Sequence, residues 1–296
     1  MSRSFRKLQQ LSFLMLTVVL TAIHEKPAAA DPPAAEEVSV PDENLASVLK
    51  DILKRKAVEG EAFTAENLQK IYYLQAIDRQ IQDLTGLEHC TNLAEVRLSQ
   101  NAIQDVSPLA ACVNIQSLDL AGNKITSIDP LRALTKLQYL NVENNQIPKL
   151  DAVTELKALA SLYADGNQIE SLDPLKDLPK LHSLYAAGNR ISDVQPVATL
   201  VHLDSLDLSG NQIEDVSALK SLHELRFTFL MKNRIRDISP LAEMARADNE
   251  SERRFAPYWR LYLAENPLDA DGTQQQFEIL KAASVRVDLK YIREQQ

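Results

Sequence analysis

The 296-residue chain carries 41 acidic against 32 basic side chains, a formal net charge of −9, with hydrophobic residues at 45% and only 7 glycines. This composition excludes collagen-like and disordered chains. It also argues against nucleic acid as a partner, because an acidic surface repels phosphate and no local basic stripe offsets it.

At the N-terminus, Arg3, Arg6 and Lys7 precede an uncharged apolar run from Leu11 to Ala22, short for a membrane span, and the small residues Ala28 and Ala30 follow. The pattern predicts a secretory signal peptide over residues 1–30, cleaved after Ala30, in preference to an uncleaved anchor. No cysteine stands directly after the cleavage point, and Tyr291 to Gln296 carry no hydrophobic tail or sorting motif, so neither a lipid nor a covalent surface anchor is expected. Removal of residues 1–30 takes away four basic and one acidic side chain and leaves the mature chain at −12. The expected product is a soluble monomer, secreted or periplasmic, with no membrane span.

A short linker, residues 31–40, leads into a helical cap over residues 41–72. There Leu45, Val48, Leu49, Ile52 and Leu53 follow helical spacing behind Asp42, an N-cap residue type, and Thr64 is placed to cap a second short helix holding Leu68 and Ile71.

The centre of the chain, residues 73–268, is a repeat. Asparagine recurs at Asn101, Asn123, Asn145, Asn167, Asn189, Asn211 and Asn233, each 22 residues after the last, inside a unit LxxLxLxxNxIxxIxxLxxL. One further unit, Leu261, Leu263 and Asn266, comes after a step of 33, and stepping back from Asn101 to Arg79 finds Leu74 and Ala76 in strand positions of an incomplete first coil. The alternation around each LxL pair predicts a short strand with its leucines turned inward, and stacked coils then form one parallel sheet. The Ile and Leu positions that follow bring the chain back along the other side, where no single coil buries them alone. Each asparagine amide is placed to satisfy backbone groups where the chain leaves the strand, a structural role. The 11 extra residues fall in a charged insertion, 245–256, which reads as a solvated loop, and a C-terminal cap over residues 269–296 follows. In that cap Thr273 is expected to begin a helix containing Phe277, Leu280 and Lys281, ahead of a strand from Val285 to Leu289.

This unit resembles the 22-residue class of leucine-rich repeat, found also in cytosolic phosphatase-binding proteins. The tails Asp105-Val106-Ser107-Pro108-Leu109 and Asp237-Ile238-Ser239-Pro240-Leu241 are similar to the bacterial internalin-type subgroup. The resemblance covers residues 41–290 and implies an α/β solenoid: a curved parallel sheet on the concave side, 3₁₀ or extended turns on the convex side, a helical N-terminal cap of the internalin kind and a C-terminal cap. It implies protein binding as the activity and names no partner.

Motifs that carry chemistry are missing from the sequence. There is no GxGxxG, GxxxxGK[ST], GxSxG or HExxH, so no catalytic role, cofactor or metal is expected. His24 lies in the signal, and His89, His182, His202 and His223 share no metal-ligand spacing. Asp269-Ala270-Asp271-Gly272 with Glu278 matches part of a calcium loop, but Pro267 stands at the first ligand position and supplies no carboxylate. Cys90 and Cys112 are 22 residues apart and so occupy one place in adjacent coils, where a coil spacing of about 5 Å permits a disulfide; a pair of buried thiols fits equally well.

The residues between the strand leucines face outward: Arg97, Asp119, Asn141, Tyr163, Tyr185, Asp207, Phe229 and Tyr262, with Tyr139, Phe227 and Trp259 beside them. A chain only 5% aromatic thus gathers Tyr139, Tyr163, Tyr185, Phe227, Phe229, Trp259 and Tyr262 where the repeat needs no apolar residue, with Glu143, Asp165 and Arg260 as a polar rim. Exposed aromatics on a rigid sheet are binding anchors. The expected function is an exported binder of a protein partner through the concave face; a carbohydrate or cell-wall ligand, and regulation of another enzyme, are the alternatives.

Overall fold

The computed structural model describes residues 36–56, 62–251 and 253–290, so the signal peptide expected over residues 1–30 lies outside the described residues. The chain builds ten three-residue strands: β1 Tyr73–Gln75, β2 Glu95–Arg97, β3 Ser117–Asp119, β4 Tyr139–Asn141, β5 Ser161–Tyr163, β6 Ser183–Tyr185, β7 Ser205–Asp207, β8 Phe227–Phe229, β9 Arg260–Tyr262 and β10 Arg286–Asp288. They form one parallel sheet in chain order. The register is set by the repeat itself: Leu118 pairs with Leu140 and Leu162 with Leu184, and across the longer step Thr228 pairs with Leu261. Each central residue of β1 to β9 is buried, so a slip of one residue would turn the leucines out and the polar residues in.

On the opposite side the chain returns through short 3₁₀ turns such as Ser107–Ala111, Asp129–Ala133 and Gln195–Thr199, several with proline in their first turn. The Asp-x-Ser-Pro tails have a local mechanism. The Asp105 and Asp237 carboxylates each accept from a serine two residues on, at 2.8 Å from Ser107 N and Ser239 N, while proline fixes the turn's backbone angle. Between sheet and turns, the repeated Leu and Ile side chains make one continuous apolar core.

The asparagine ladder ties the coils together. Asn123 Oδ1 accepts from Ile103 N at 3.1 Å, and its Nδ2 donates to Leu98 O at 3.0 Å and Leu120 O at 2.8 Å. One amide therefore closes its own turn and pairs two backbone groups of the preceding coil. Asn266 repeats the geometry across the longer step, accepting from Ile235 N at 3.2 Å and donating to Leu230 O at 2.8 Å.

At the N-terminal end, helices α1 (Glu43–Arg55) and α2 (Ala65–Leu68) cover the first coil. Asp42 Oδ1 caps α1 by accepting from Asn44 N and Leu45 N at 3.0 Å, while Oδ2 accepts from Gln82 N at 2.8 Å and Asp83 N at 3.2 Å. One carboxylate thus starts the helix and fastens it to the repeat. Partial burial pushes its carboxyl up, but the four backbone N–H groups outweigh that and hold it below the ordinary carboxylate value. Thr64 caps α2 as its sequence position predicts, accepting from Asn67 N at 3.2 Å.

Two expectations are corrected. The insertion is not a solvated loop: residues 245–249 finish helix α3 (Ser239–Asn249), with Ala245 and Asp248 buried, and Phe255 and Ala256 beyond it are buried too. Helix α4 (Ala270–Ala282) starts behind Asp269, and Thr273 sits inside its first turn with its hydroxyl donating to Asp269 O. Of the two readings the sequence leaves open for Cys90 and Cys112, the structure holds the unbridged one. Both are buried free thiols, and Cys112 Sγ donates to Leu87 O at 3.2 Å. Burial pushes each thiol up to about 12. Among the described residues no helix is long and apolar enough to cross a membrane.

Candidate binding face

In each coil the strand residues on either side of the buried central position point away from the core, and the parallel register stacks them into two columns. One column runs Arg97, Asp119, Asn141, Tyr163, Tyr185, Asp207, Phe229 and Tyr262; the other includes Ser117, Tyr139, Ser161, Ser183, Ser205, Phe227 and Arg260. Strand spacing of about 4.8 Å is close to ring-stacking distance, so adjacent aromatics meet. Tyr163 and Tyr185 stack at 4.8 Å between centroids with planes 5° apart, Tyr139 leans on Tyr163 at 5.3 Å, and Phe229 stacks on Tyr262 at 4.4 Å. Arg260 places its guanidinium 5.6 Å from the Phe227 ring centroid. Serines 161, 183 and 205 leave the adjoining column low beside the tyrosines.

Six of the seven aromatics expected on this face are there. Tyr139, Tyr163, Tyr185, Phe229 and Tyr262 are half-buried by their neighbours, and Phe227 is 36% exposed. Trp259 is the correction. It is fully buried, packs on Phe255 at 5.7 Å, and donates Nε1–H to Thr228 Oγ1 at 2.9 Å. In the lengthened coil Arg260 takes the outward position. Asp207, in register between Tyr185 and Phe229, is also fully buried, with Oδ1 accepting from Ser209 N at 2.9 Å, so it separates the two aromatic groups without presenting a charged surface. Sequence reading missed Tyr73, 68% exposed on β1, because the first coil lacks its asparagine.

The rim is acidic beside the tyrosines. Asp165 Oδ1 accepts from Ala187 N at 2.7 Å, which orients that carboxylate. Burial and then the Asp119 carboxylate raise the Tyr139 phenol above its ordinary value of 10.0 against the lowering hydrogen bond of Asn141, with a smaller raise from Glu143 and a smaller lowering from Arg97. Burial, then Tyr185 and Tyr139, and then the Glu143 and Asp165 carboxylates raise Tyr163 in the same direction. A phenol whose folded-state value is raised binds its proton more tightly folded than unfolded. The stability it gives is therefore intact below about pH 10 and lost as the pH rises further. We expect an ultraviolet titration to show two phenols ionising late, and Glu143→Gln to bring both down. Titration of every tyrosine together at the ordinary value would contradict this arrangement.

Among the described residues no group of three or more His, Cys, Asp or Glu side chains is placed to hold a metal ion. His182, His202 and His223 nevertheless line one hollow on the flank of the sheet, which their scattered sequence positions did not show.

Leucine-rich-repeat family models match residues 113–158 and 157–199 as two-copy repeats and residues 199–220 as a single repeat. No curated protein matches the chain. Among solved structures, internalin C2 from Listeria monocytogenes is similar at 30% identity and a TM-score of 0.66, covering 71% of this chain and 96% of the other. A leucine-rich-repeat protein from Leptospira interrogans matches at 18% identity and a TM-score of 0.58, over 77% of this chain and 63% of that one. The leucine-rich-repeat ectodomain of an Arabidopsis thaliana membrane receptor kinase, solved in complex with Casparian strip integrity factor 2, matches at 21% identity and a TM-score of 0.57, over 69% and 25%. The last two share the fold. With the repeat, the capped sheet and 30% identity over nearly all of internalin C2 taken together, the chain belongs to the internalin-type family of leucine-rich-repeat proteins.

Proposed function

We propose that the protein is exported and that it binds a protein partner, without catalysis, through the concave face of the sheet. The observation that carries the reading is the pair of stacked aromatic groups, Tyr139–Tyr163–Tyr185 and Phe229–Tyr262, on a face where the repeat needs no apolar side chain. Rings held by their neighbours on short strands have little conformational freedom left to lose, so a partner gains their apolar area at low entropic cost. The carboxylates of Asp119, Glu143 and Asp165 beside them favour a partner surface carrying an apolar centre and basic groups, with association that weakens as salt rises. Export rests on the basic start, the apolar run Leu11 to Ala22 and the small residues at Ala28 and Ala30.

The test compares the wild-type chain with a Tyr163→Ala, Tyr185→Ala, Phe229→Ala variant as bait against the native envelope and medium. We expect one partner to be retained by wild type and lost by the variant, whose cooperative unfolding confirms that it folds. Equal capture by both baits would move the site off this face. N-terminal sequencing of the protein recovered from the same fractions is expected to begin at Asp31, and an intact Met1 would sink the export reading.

A further inference from the structure

On the flank where the chain turns into strands β6 to β8, off the aromatic face, the described residues line a half-open hollow of about 750 Å³. That size falls within the roughly 300–1,000 Å³ of small-ligand sites. Three successive coils make one wall, and the other is made by Arg254, Phe255 and Tyr258, which belong to the longer step between coils. The departure from the 22-residue period is thus what builds the hollow.

The second wall is held firmly. The Asp248 carboxylate, itself buried, accepts from Arg254 N at 2.9 Å, Phe255 N at 3.3 Å and Ala256 N at 3.0 Å. Phe255 is buried against Trp259 and meets the His223 ring at 6.0 Å. Tyr258, by contrast, is 69% exposed at the rim. On the coil side His182 and His202 face each other at 6.2 Å, and His202 Nδ1 lies 3.4 Å from Glu224. Asp204 Oδ1 is buried and has no hydrogen-bond partner among the described residues, although Arg226 occupies the same place one coil on.

We propose that this hollow is a saccharide-binding site, separate from the concave face. Its carboxylates, Asp204 and Glu224, accept hydrogen bonds; its guanidinium groups, Arg226 and Arg254, donate them; and the imidazoles do both. The two acids balance the two arginines, so the lining calls for a neutral ligand that is at once donor and acceptor. A sugar hydroxyl is both. The exposed Tyr258 ring gives the apolar C–H face of a pyranose somewhere to lie, with its phenol still in water.

The experiment follows the imidazole resonances of the nitrogen-labelled chain while cellobiose, chitobiose or maltose is added to millimolar concentration. We expect at least one sugar to shift His182, His202 and His223 saturably and to leave His89 in place. Tyr258→Ala and Arg226→Ala, both at exposed positions, are each expected to weaken that Kd by about tenfold, a loss of roughly 1.4 kcal/mol, while Tyr163→Ala leaves it unchanged. The proposal is overturned if none of the three sugars moves these resonances, if His89 moves with them, or if a tripeptide mixture moves them and the sugars do not.

Discussion

Asn167→Asp, a change of one amide to one carboxylate, is expected to destabilise the protein more than the truncation Asn167→Ala, which itself should cost about 3 kcal/mol. Asn167 is 7% exposed in the middle of the ladder. Its Oδ1 accepts from Ile147 N at 3.0 Å, and its Nδ2 donates to Val142 O at 2.9 Å and Ala164 O at 3.1 Å. Truncation leaves the Ile147 N–H buried without an acceptor. The two carbonyls fare better, because Val142 O also accepts from Asn145 Nδ2 and Ala164 O from Asn189 Nδ2. Aspartate keeps the acceptor for Ile147 but turns a second oxygen toward those carbonyls, replacing an attraction by repulsion in a site shielded from water.

The two variants are told apart by pH. A buried carboxyl facing carbonyl oxygens has its folded-state pKa raised, so the Asn167→Asp variant binds a proton more tightly when folded than when unfolded. Its stability therefore rises as pH falls, since the protonated acid can donate again, whereas the alanine variant has no such recovery. Urea unfolding followed by circular dichroism at neutral and mildly acid pH measures both effects. Coils touch only their neighbours, so a weak coil at the centre tests whether the array still unfolds as one unit. A change of less than about 0.5 kcal/mol in either variant would place Asn167 among ordinary surface positions and remove the ladder from the account of stability.

What the sequence discloses is whatever the 22-residue period governs. Asn123 and its equivalents, the buried leucines and the outward direction of Tyr163, Tyr185 and Phe229 follow from counting, because each position meets the same surroundings in every coil. The period fails where the chain departs from it. Asp248 sits in a stretch dense with charge and reads as solvated, yet its carboxylate is consumed by three backbone N–H groups that the turn after α3 points at it. The histidines escape notice for a related reason. His182, His202 and His223 are 20 and 21 residues apart, so they fall in different columns of the repeat, and only the turn of neighbouring coils brings them to one hollow. Trp259 lies just beyond the 11 added residues, where an offset count gives no side to the chain; its burial is a matter of packing.

That packing makes Trp259→Ala the other change with a large expected effect, about 3–5 kcal/mol from lost contacts and the cavity left behind. The indole is fully buried, and its one polar group is matched by an equally unusual residue. Thr228 holds a central strand position where neighbouring coils carry leucine, is itself fully buried, and accepts from Trp259 Nε1 at 2.9 Å. Each makes the other tolerable, so the pair is expected to be strongly non-additive. Thr228→Val alone strands the indole N–H and should cost about 1–3 kcal/mol, while Trp259→Phe alone strands the hydroxyl. Combining the two removes both polar groups and should cost less than the sum of the single changes. Because Trp259 is the sole tryptophan, its emission reads unfolding of the Thr228→Val variant directly, and circular dichroism serves the variants that lack it. Strict additivity would mean that the hydrogen bond contributes nothing, and that the indole is held by Phe255 and the apolar core alone.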